Sequence, residues 1–282
     1  MVNEIIIVNP KELEKKKKQI SDDGAEKLHI LSDFDRTITY GLNEGKRTPT
    51  VISQLRNDPK YLGEDYPKKA SELFEIYHPI EIDPKIPLEK KKREMDNWWR
   101  EHFNLIAEYD FTKKLIEQVV KEKPLRFRKG SLEFLTLLNK KNIPFIFMSA
   151  APGDMIIEYL KENKLLLPNI DIISNLYEWD KNGKAIQIKQ PVVTSVNKDE
   201  TLIHKFPVYE KIKNRKNVLL FGDGLEDVGM VKGFDYKTLI KIAFLNENVE
   251  ENLPVFKKVY DIILLGDQDM IYVNKLVKEI LK

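Results

Sequence analysis

Residues 27–37 read KLHILSDFDRT, and this stretch decides how the chain is expected to fold. A short apolar run ends in two acids, Asp33 and Asp35, that are separated by one residue. Glycines follow at Gly41 and Gly45, which is typical of a buried strand that runs into a loop. Two carboxylates placed in this way at a strand end can point toward one centre while the chain turns.

Beyond residue 127, short apolar runs alternate with helical stretches. This alternation is typical of a parallel β-sheet that helices cover on both faces. An Asn-Gly pair at 182–183 favours a tight turn and predicts a hairpin there. Strands are predicted at 27–33, 143–149, 170–174, 217–223, 241–246 and 260–266, and helices at 10–22, 130–141, 152–163 and from 268 onward.

The stretch from about residue 46 to residue 127 has a different character. It is rich in lysine, glutamate and aromatic residues, reads as helices, and contains no convincing buried strand. The prediction is therefore an α/β core made of residues 1–45 and 128–282, with residues 46–127 inserted as a mainly helical cap. Strands that end at Asp33, Ser149 and Asp223 would bring these residues together at the carboxyl edge of the sheet, where open α/β sheets bind ligands.

The composition excludes several classes of function. The 282 residues include 47 basic and 45 acidic side chains, and a net charge of +2 gives no field that indicates nucleic acid as a partner. There is no cysteine, which excludes disulfides, thiolate metal sites and cysteine nucleophiles. No apolar run approaches the roughly 20 residues that span a bilayer. The N-terminal charges follow a short apolar stretch, the reverse of a secretory signal, so a cytoplasmic protein is expected.

The acid pair suggests phosphate chemistry. A carboxylate that attacks phosphorus needs its charge offset, and Mg²⁺ can do this while it binds a phosphate oxygen. The leaving alkoxide needs a proton, which a second carboxyl nearby can supply. On their own, Asp33 and Asp35 are equally typical of acids that cap a helix or close a turn.

A second acidic loop, FGDGLED at residues 221–227, follows another predicted strand. Its glycines let the backbone pass close to a ligand. Asp223 and Asp227 offer the oxygen ligands that suit Mg²⁺. The alternative interpretation is a turn that caps a helix.

Two further side chains fit a phosphate site. Ser149 ends a predicted strand, and Ala150 after it leaves a backbone amide unobstructed, so the pair could hold a phosphate oxygen. Alternatively, Ser149 is the N-cap of the helix predicted at 152–163. Lys198 would supply the positive charge that steadies the nucleophile and the transferred phosphoryl group.

Taken in chain order, the acid pair, serine, lysine and acidic glycine loop resemble the four motifs of the haloacid dehalogenase superfamily. By this resemblance, Asp33 is the nucleophile that forms an aspartyl-phosphate, and Asp35 is the general acid that later activates water. The resemblance also implies phosphate binding by Thr37 and Ser149, charge balance by Lys198, and Mg²⁺ on Asp33, the Asp35 backbone carbonyl and Asp223, with Asp227 nearby.

Seven further stretches narrow the resemblance to cytosolic 5′-nucleotidase III, the pyrimidine 5′-nucleotidase. The implied reaction is hydrolysis of a nucleoside 5′-monophosphate, with UMP or CMP favoured, to nucleoside and phosphate. Family members are usually monomers. The stretches are GKRTPT (45–50), PIEIDPKIPLEKK (79–91), WW (98–99), FIFMSAAPGD (145–154), VNKDETLI (196–203), LLFGDGLEDVGM (219–230) and YDIILLGDQDM (260–270).

The cap contains a candidate site for the base. Trp98, Trp99 and Phe103 cluster at helical spacing, and an aromatic face can stack a flat base for roughly 1–3 kcal/mol. The alternative is that this stripe only packs the cap against itself. The family places a glutamate that contacts the base where this chain has Asn97, which is neutral but can still form hydrogen bonds.

Other departures from the family pattern are Lys123 in place of a serine and Arg36 in place of a methionine. One family variant prefers 7-methylguanosine monophosphate, whose cationic base would gain cation–π energy over paired tryptophans. Three alternatives therefore stand beside pyrimidine nucleotide hydrolysis: this methylated substrate, another small phosphomonoester, and phosphate transfer to an acceptor nucleoside. A non-catalytic nucleotide-binding protein is the fourth.

Overall fold

A computed structural model describes residues 4–43, 45–83, 85–123 and 125–282. Seven of the strands form one sheet, in the order β1-β11-β10-β9-β2-β5-β6, and the other four form two hairpins, β3–β4 and β7–β8. The strands are β1 (Ile5–Ile7), β2 (Leu28–Ser32), β3 (Leu42–Asn43), β4 (Lys46–Arg47), β5 (Phe145–Pro152), β6 (Ile170–Asn175), β7 (Tyr177–Trp179), β8 (Ala185–Ile188), β9 (Asn217–Gly222), β10 (Thr238–Leu245) and β11 (Ile262–Leu265).

Helices connect these strands and cover both faces of the sheet, as the alternating sequence pattern predicted. None of the described helices combines the length and the apolar composition that crossing a bilayer would require. The helices are α1 (Pro10–Asp23), α2 (Val51–Arg56), α3 (Pro59–Leu62), α4 (Asp65–Ile82), α5 (Leu88–Glu108), α6 (Lys113–Glu122), α7 (Ser131–Lys140), α8 (Gly153–Glu162), α9 (Glu200–Ile203), α10 (Val208–Ile212), α11 (Val249–Val259) and α12 (Ile271–Ile280).

All the predicted strands are present, and the hairpin at 182–183 is confirmed by β7 and β8. The predicted parallel sheet is confirmed, and one edge strand that was not predicted, β1, pairs antiparallel with β11. The other five pairings are parallel. A run of three isoleucines is too short to show a strand period, and its partner lies at the far end of the chain, so the sequence pattern gave no sign of β1.

The central strands are buried on both faces, which explains why they read as continuous apolar runs. Because successive side chains of a strand point to opposite faces, Ile30 and Leu31 belong to two separate apolar clusters. In the same way, Phe221 on β9 belongs to the cluster of Ile30, and Leu220 belongs to the cluster of Leu31. Each face of the sheet therefore has its own core.

The pairing register of β2 with its two neighbouring strands determines where the predicted site residues lie. Ser32 pairs with Phe221 on one side and with Phe147 on the other. The next residue after Ser32 is Asp33, and Asp223 and Ser149 each lie two residues beyond these partners. Asp33 and Asp223 therefore directly follow the ends of neighbouring strands, and Ser149 lies at the same level of the sheet, inside β5.

Between β4 and α7, the described residues form helices α2 to α6 and no strand. This segment packs against the core hairpin. Tyr177 on β7 donates a hydrogen bond of 2.9 Å to the carbonyl of Phe103 on α5, and the two rings meet edge to face at 5.8 Å. The second half of α5 is thus held on the β7–β8 hairpin.

Candidate active site

A buried lysine lies between two buried carboxylates. Lys198 Nζ is 2.8 Å from Asp33 Oδ1 and 3.1 Å from Asp227 Oδ1, and all three side chains are buried. Burial alone would lower the pKa of Lys198, but the two carboxylates outweigh it and raise the pKa above its usual value. The lysine is therefore a fixed cation directly beside the predicted nucleophile.

Three carboxylates gather around one point. One oxygen each from Asp33, Asp223 and Asp227 lie within 4.8 Å of one another. Burial raises the pKa of Asp33 to about 7, against the opposing effect of Lys198. Burial also raises the pKa of Asp223, and the charges of Asp227 and Asp33 add to the rise.

This donor set fits Mg²⁺. Hard divalent cations take carboxylate and carbonyl oxygens, and here the lysine bonds only two of the three acids, so the repulsion among the acids is only partly balanced. A divalent cation on Asp33 and Asp223 would offset that repulsion and lower the pKa of both groups. When bound, the ion would also neutralise charge on a phosphate oxygen.

Asp227 is held by the loop that carries Asp223. Its Oδ2 accepts hydrogen bonds of 3.0 Å from the backbone amides of Asp223 and Gly224. A Cβ atom at Gly222 would lie 2.4 Å from the Cβ of Asp227. The glycine at 222 is therefore required so that the Asp227 side chain can fold back against the strand end.

The carboxyl group of Asp35 stands apart from the three-acid cluster. Its Oδ1 accepts a hydrogen bond of 3.0 Å from the amide of Val51, the first residue of α2. Burial raises the pKa of Asp35 to about 6, although the Val51 amide opposes the rise. A carboxyl group with a pKa near neutrality can both give and take a proton, which suits a general acid and base.

The Val51 amide was not predicted as part of the site. Thr50 is the N-cap of α2, and its Oγ1 accepts from the Ser53 amide at 3.4 Å. A threonine before an apolar residue is a typical helix start. This signal could have located the free amides at the start of α2 that Asp35 uses.

Thr37 lies on the loop after β2, and Ser149 lies inside β5 rather than at the strand end that the sequence predicted. Thr37 is buried, and its hydroxyl is 3.5 Å from Asp223 Oδ1. Ser149 Oγ accepts a hydrogen bond of 3.2 Å from the Ala151 amide. The N-cap interpretation of Ser149 is wrong, because β5 continues to Pro152 and α8 begins only at Gly153.

Around Ala150, β5 departs from regular pairing with β6, since the register shifts between Met148 and Pro152. The carbonyl of Ala150 accepts a hydrogen bond of 2.7 Å from Asn175 Nδ2. The backbone that follows Ser149 is therefore fixed from the side of β6.

The predicted base-binding residues lie on one helix, α5, but differ in exposure. Trp98 is 5% exposed, Trp99 is half-buried, Asn97 is exposed, and Phe103 is fully buried with its ring against Tyr177. The Trp98 and Trp99 rings stack at 5.6 Å with an interplanar angle of 21°. Neither indole N–H has a hydrogen-bond partner among the described residues.

The aromatic pair is linked to the segment that carries Lys198. Trp98 packs with Tyr77 and Met95, and Val196, two residues before Lys198, packs against this cluster. Three polar contacts join α4 and α5 to residues 190–199. They are hydrogen bonds from Ser195 Oγ to Glu81 Oε1 (2.5 Å) and from Arg100 Nη2 to Gln190 Oε1 (2.8 Å), and an ion pair of Lys92 Nζ with Asp199 Oδ2 (3.6 Å).

Comparison with known proteins gives consistent similarities. The pyrimidine 5′-nucleotidase (UMPH-1) family model matches residues 36–281. A 7-methylguanosine phosphate-specific 5′-nucleotidase A from Xenopus laevis is 35% identical over 267 residues, which cover 94% of this chain and 92% of that protein.

Two solved structures extend the comparison. Cytosolic 5′-nucleotidase IIIB bound to cytidine has a TM-score of 0.88 at 28% identity, over 98% of this chain and 93% of that one. A HAD family hydrolase from Salmonella enterica has a TM-score of 0.55 at 13% identity, over 96% and 81%. The second similarity concerns the fold alone, and it agrees with the haloacid dehalogenase-like architecture that the sequence predicted.

Proposed function

The chain belongs to the pyrimidine 5′-nucleotidase family of phosphomonoester hydrolases, and we propose that it is a Mg²⁺-dependent enzyme that hydrolyses nucleoside 5′-monophosphates. The observation that carries the proposal is the buried arrangement of Lys198 between Asp33 and Asp227, with Asp223 close by. A structural ion pair needs one acid, whereas this lysine faces several.

In the proposed reaction, Asp33 attacks phosphorus while the ester P–O bond breaks. Oδ1 of Asp33 is engaged by Lys198, which leaves Oδ2 as the attacking atom. The leaving nucleoside oxygen takes the proton of Asp35, and the Asp35 carboxylate then accepts a proton from the water that attacks the aspartyl-phosphate. As the water oxygen bonds to phosphorus, the bond between phosphorus and Asp33 Oδ2 breaks, inorganic phosphate leaves, and Asp33 returns to a carboxylate and Asp35 to a carboxylic acid.

The phosphate itself would be held by Thr37, Ser149 and the backbone at Ala150. Lys198 would balance the charge of the phosphoryl group as it moves toward Asp33. Asp33, Asp223 and the backbone carbonyl of Asp35 would hold Mg²⁺, with Asp227 oriented by the 223–224 amides.

For the base, we propose the face of α5 that carries Trp99, with Asn97 at its exposed edge and Trp98 beneath. Hydrolysis of UMP and CMP is one candidate, and a solved relative was crystallised with cytidine. 7-Methylguanosine monophosphate is the second, because a stacked indole pair favours a cationic base and a relative bears that specificity in its name.

Three features accompany the proposal. Residues 46–127 act as a cap on a core of residues 1–45 and 128–282, and the protein works as a monomer in the cytoplasm. The proposed aspartyl-phosphate also allows transfer of the phosphoryl group to an added nucleoside. Formation of a new nucleotide when uridine or cytidine is added in excess would show such transfer, and release of phosphate alone would show hydrolysis.

The decisive assay measures phosphate release from UMP, CMP, GMP, 7-methylguanosine monophosphate, a sugar phosphate and p-nitrophenyl phosphate, with and without Mg²⁺. We expect Mg²⁺-dependent release with a preference for a nucleotide. Asp33→Asn should lose at least about 10³-fold in kcat, because an amide is a poor nucleophile. Asp235→Asn, an exposed acid paired with Lys216, is the matched control.

Comparable turnover of sugar phosphates and nucleotides would refute the nucleotidase assignment. Full activity of Asp33→Asn would refute the mechanism. Nucleotide binding without phosphate release at any Mg²⁺ concentration would favour the non-catalytic alternative.

A further inference from the structure

Arg128 is a fully buried arginine just before α7, at the edge of the sheet where the site lies. A guanidinium group has five N–H donors, and here each one has an acceptor. Because no N–H donor is left to bind a substrate, the side chain has a structural role. The bonds run from Nε to Thr37 O (2.7 Å), from Nη1 to Asp267 Oδ1 (3.2 Å) and Gln268 O, and from Nη2 to Arg36 O (2.6 Å) and Asn246 Oδ1 (2.8 Å).

The acceptors come from three separate loops, which follow β2, β10 and β11. Two of the acceptor side chains also form hydrogen bonds with the loop that follows β2. Asn246 Nδ2 donates to the carbonyl of Arg36 at 3.0 Å. Asp267 accepts from the amides of Gly41 at 2.6 Å and Leu42 at 3.0 Å. Arg128 is therefore the centre of a buried network that surrounds residues 36–42.

The backbone at Arg36 explains what this network holds in place. Arg36 has a φ of 58°, in the left-handed region that side chains other than glycine rarely adopt. Its carbonyl accepts from both Arg128 and Asn246. This reversal directly follows Asp35 and directly precedes Thr37, whose hydroxyl lies near Asp223.

We propose that Arg128 is a positioning residue for phosphoryl transfer: it fixes the peptide units of Arg36 and Thr37, and through them the side chains of Asp35 and Thr37. The inference rests on the proposed phosphatase function. Arg128 touches neither substrate nor metal ligands. Its effect passes through the backbone of the acid-pair loop.

A second arginine provides a matched control. Arg215 also binds three backbone carbonyls, those of Ala25, Leu28 and Asn142, at 2.9–3.2 Å. These carbonyls lie at the opposite, amino-terminal edge of the sheet. Both arginines join loops, but only Arg128 joins the loop with the acid pair.

The experiment compares Arg128→Lys and Arg215→Lys in the full chain. A lysine ammonium cannot reproduce the planar, spread donors with which each guanidinium binds separate chain segments, so both variants should lower the Tm. Arg128→Lys should also lower kcat by about 10- to 100-fold with KM changed less than about threefold, because small displacements of catalytic groups are costly. Arg215→Lys should keep kcat within about threefold of the wild type.

Hydrogen exchange gives a readout that does not depend on turnover. The amides of Ile38 and Tyr40 are hydrogen-bonded in the folded chain, so hydrogen exchange in residues 34–40 is slowed and can become faster if the loop is less ordered. We expect faster exchange confined to this segment in Arg128→Lys. If the wild type had no phosphatase activity, the proposed function would fail, and this local exchange would still decide whether Arg128 orders the loop.

Two results would overturn the proposal. One is equal kcat in the two variants at equal loss of Tm. The other is exchange that rises evenly over the whole chain in Arg128→Lys, which is the behaviour of a residue that only stabilises the fold.

Discussion

Ser195 donates a hydrogen bond of 2.5 Å to Glu81, and this contact joins the segment that carries Lys198 to the last turn of α4. Helix α4 therefore directly contacts the loop that carries Lys198, the lysine proposed to act in catalysis. Val196 adds an apolar contact to the Tyr77, Met95 and Trp98 cluster. The position of the insertion and the position of Lys198 are coupled through these few residues.

Removing the Ser195 hydroxyl should weaken that coupling. We expect Ser195→Ala to lower kcat/KM for nucleotides by roughly tenfold, since one hydrogen bond to a charged group contributes about 1.5 kcal/mol or more. Arg100→Ala, which breaks the contact with Gln190 farther from Lys198, should have a smaller effect. Steady-state kinetics with one nucleotide test this, and an unchanged kcat/KM in Ser195→Ala would contradict it.

The two tryptophans should respond differently to truncation. Trp98 is 5% exposed and fills the Tyr77–Met95 cluster, so Trp98→Ala should reduce the free energy of unfolding by about 3–5 kcal/mol. Trp99 is half-buried, and Trp99→Ala should cost less stability but raise KM for nucleotides more than for p-nitrophenyl phosphate. Equal changes in KM for both substrates would mean that the Trp99 ring only packs the helix.

Asn97 offers a test of base preference that leaves the phosphate site untouched. Its side chain is exposed, so Asn97→Glu should change the stability by no more than about 0.5 kcal/mol. The new charge should alter the ratio of kcat/KM between CMP and 7-methylguanosine monophosphate by more than about threefold. Activity on p-nitrophenyl phosphate is the control, and parallel changes on all three substrates would rule out contact with the base.

Acid should destabilise the fold through buried histidine. Burial lowers the pKa of His29 to about 3, although its Nδ1 lies 2.8 Å from the carbonyl of Arg215. The unfolded chain takes up a proton near pH 6.5 and the folded chain does not, so the stability present above pH 6.5 is lost progressively toward pH 3. Between pH 7.5 and pH 5.5, His29 alone should cost roughly 1.4 kcal/mol.

Urea unfolding at pH 7.5, 6.5 and 5.5 measures this slope. His29→Gln should flatten it, because the amide can replace the hydrogen bond but does not titrate. Burial also lowers the pKa of His102, to about 4, so part of the slope should remain until His102 is replaced as well. A slope unchanged in His29→Gln would contradict the assignment.

The sequence was sufficient to predict the six parallel strands of the sheet and the positions of Asp33 and Asp223 directly after two of them, whereas Ser149 lies inside β5. These predictions rest on local patterns: an apolar run, then a polar residue at the strand end. Parallel pairing then brings such ends together without any further information. Lys198 lies outside a strand, and only the resemblance to known motifs separated it from the many other lysines.

Contacts between distant segments could not be predicted. Arg128 sits in a polar stretch that reads as a helix start, and nothing local shows that its five donors reach three loops. Strand β1 could not be predicted for the same reason, because its partner β11 lies at the other end of the chain. Ser149 shows a third limit, since a serine before a helix is ambiguous until the end of β5 is known.

The hydrogen bond from Val51 to Asp35 has a consequence for how such an enzyme could change during evolution. The carboxyl group of Asp35, the proposed proton donor, accepts from the first residue of α2, and α2 belongs to the same stretch of chain as the proposed base-binding face of α5. Under the proposed mechanism, exchanging that stretch for one from another phosphatase would remove a hydrogen bond to the proton donor together with the residues proposed to bind the base. Substrate preference and proton transfer would then change together.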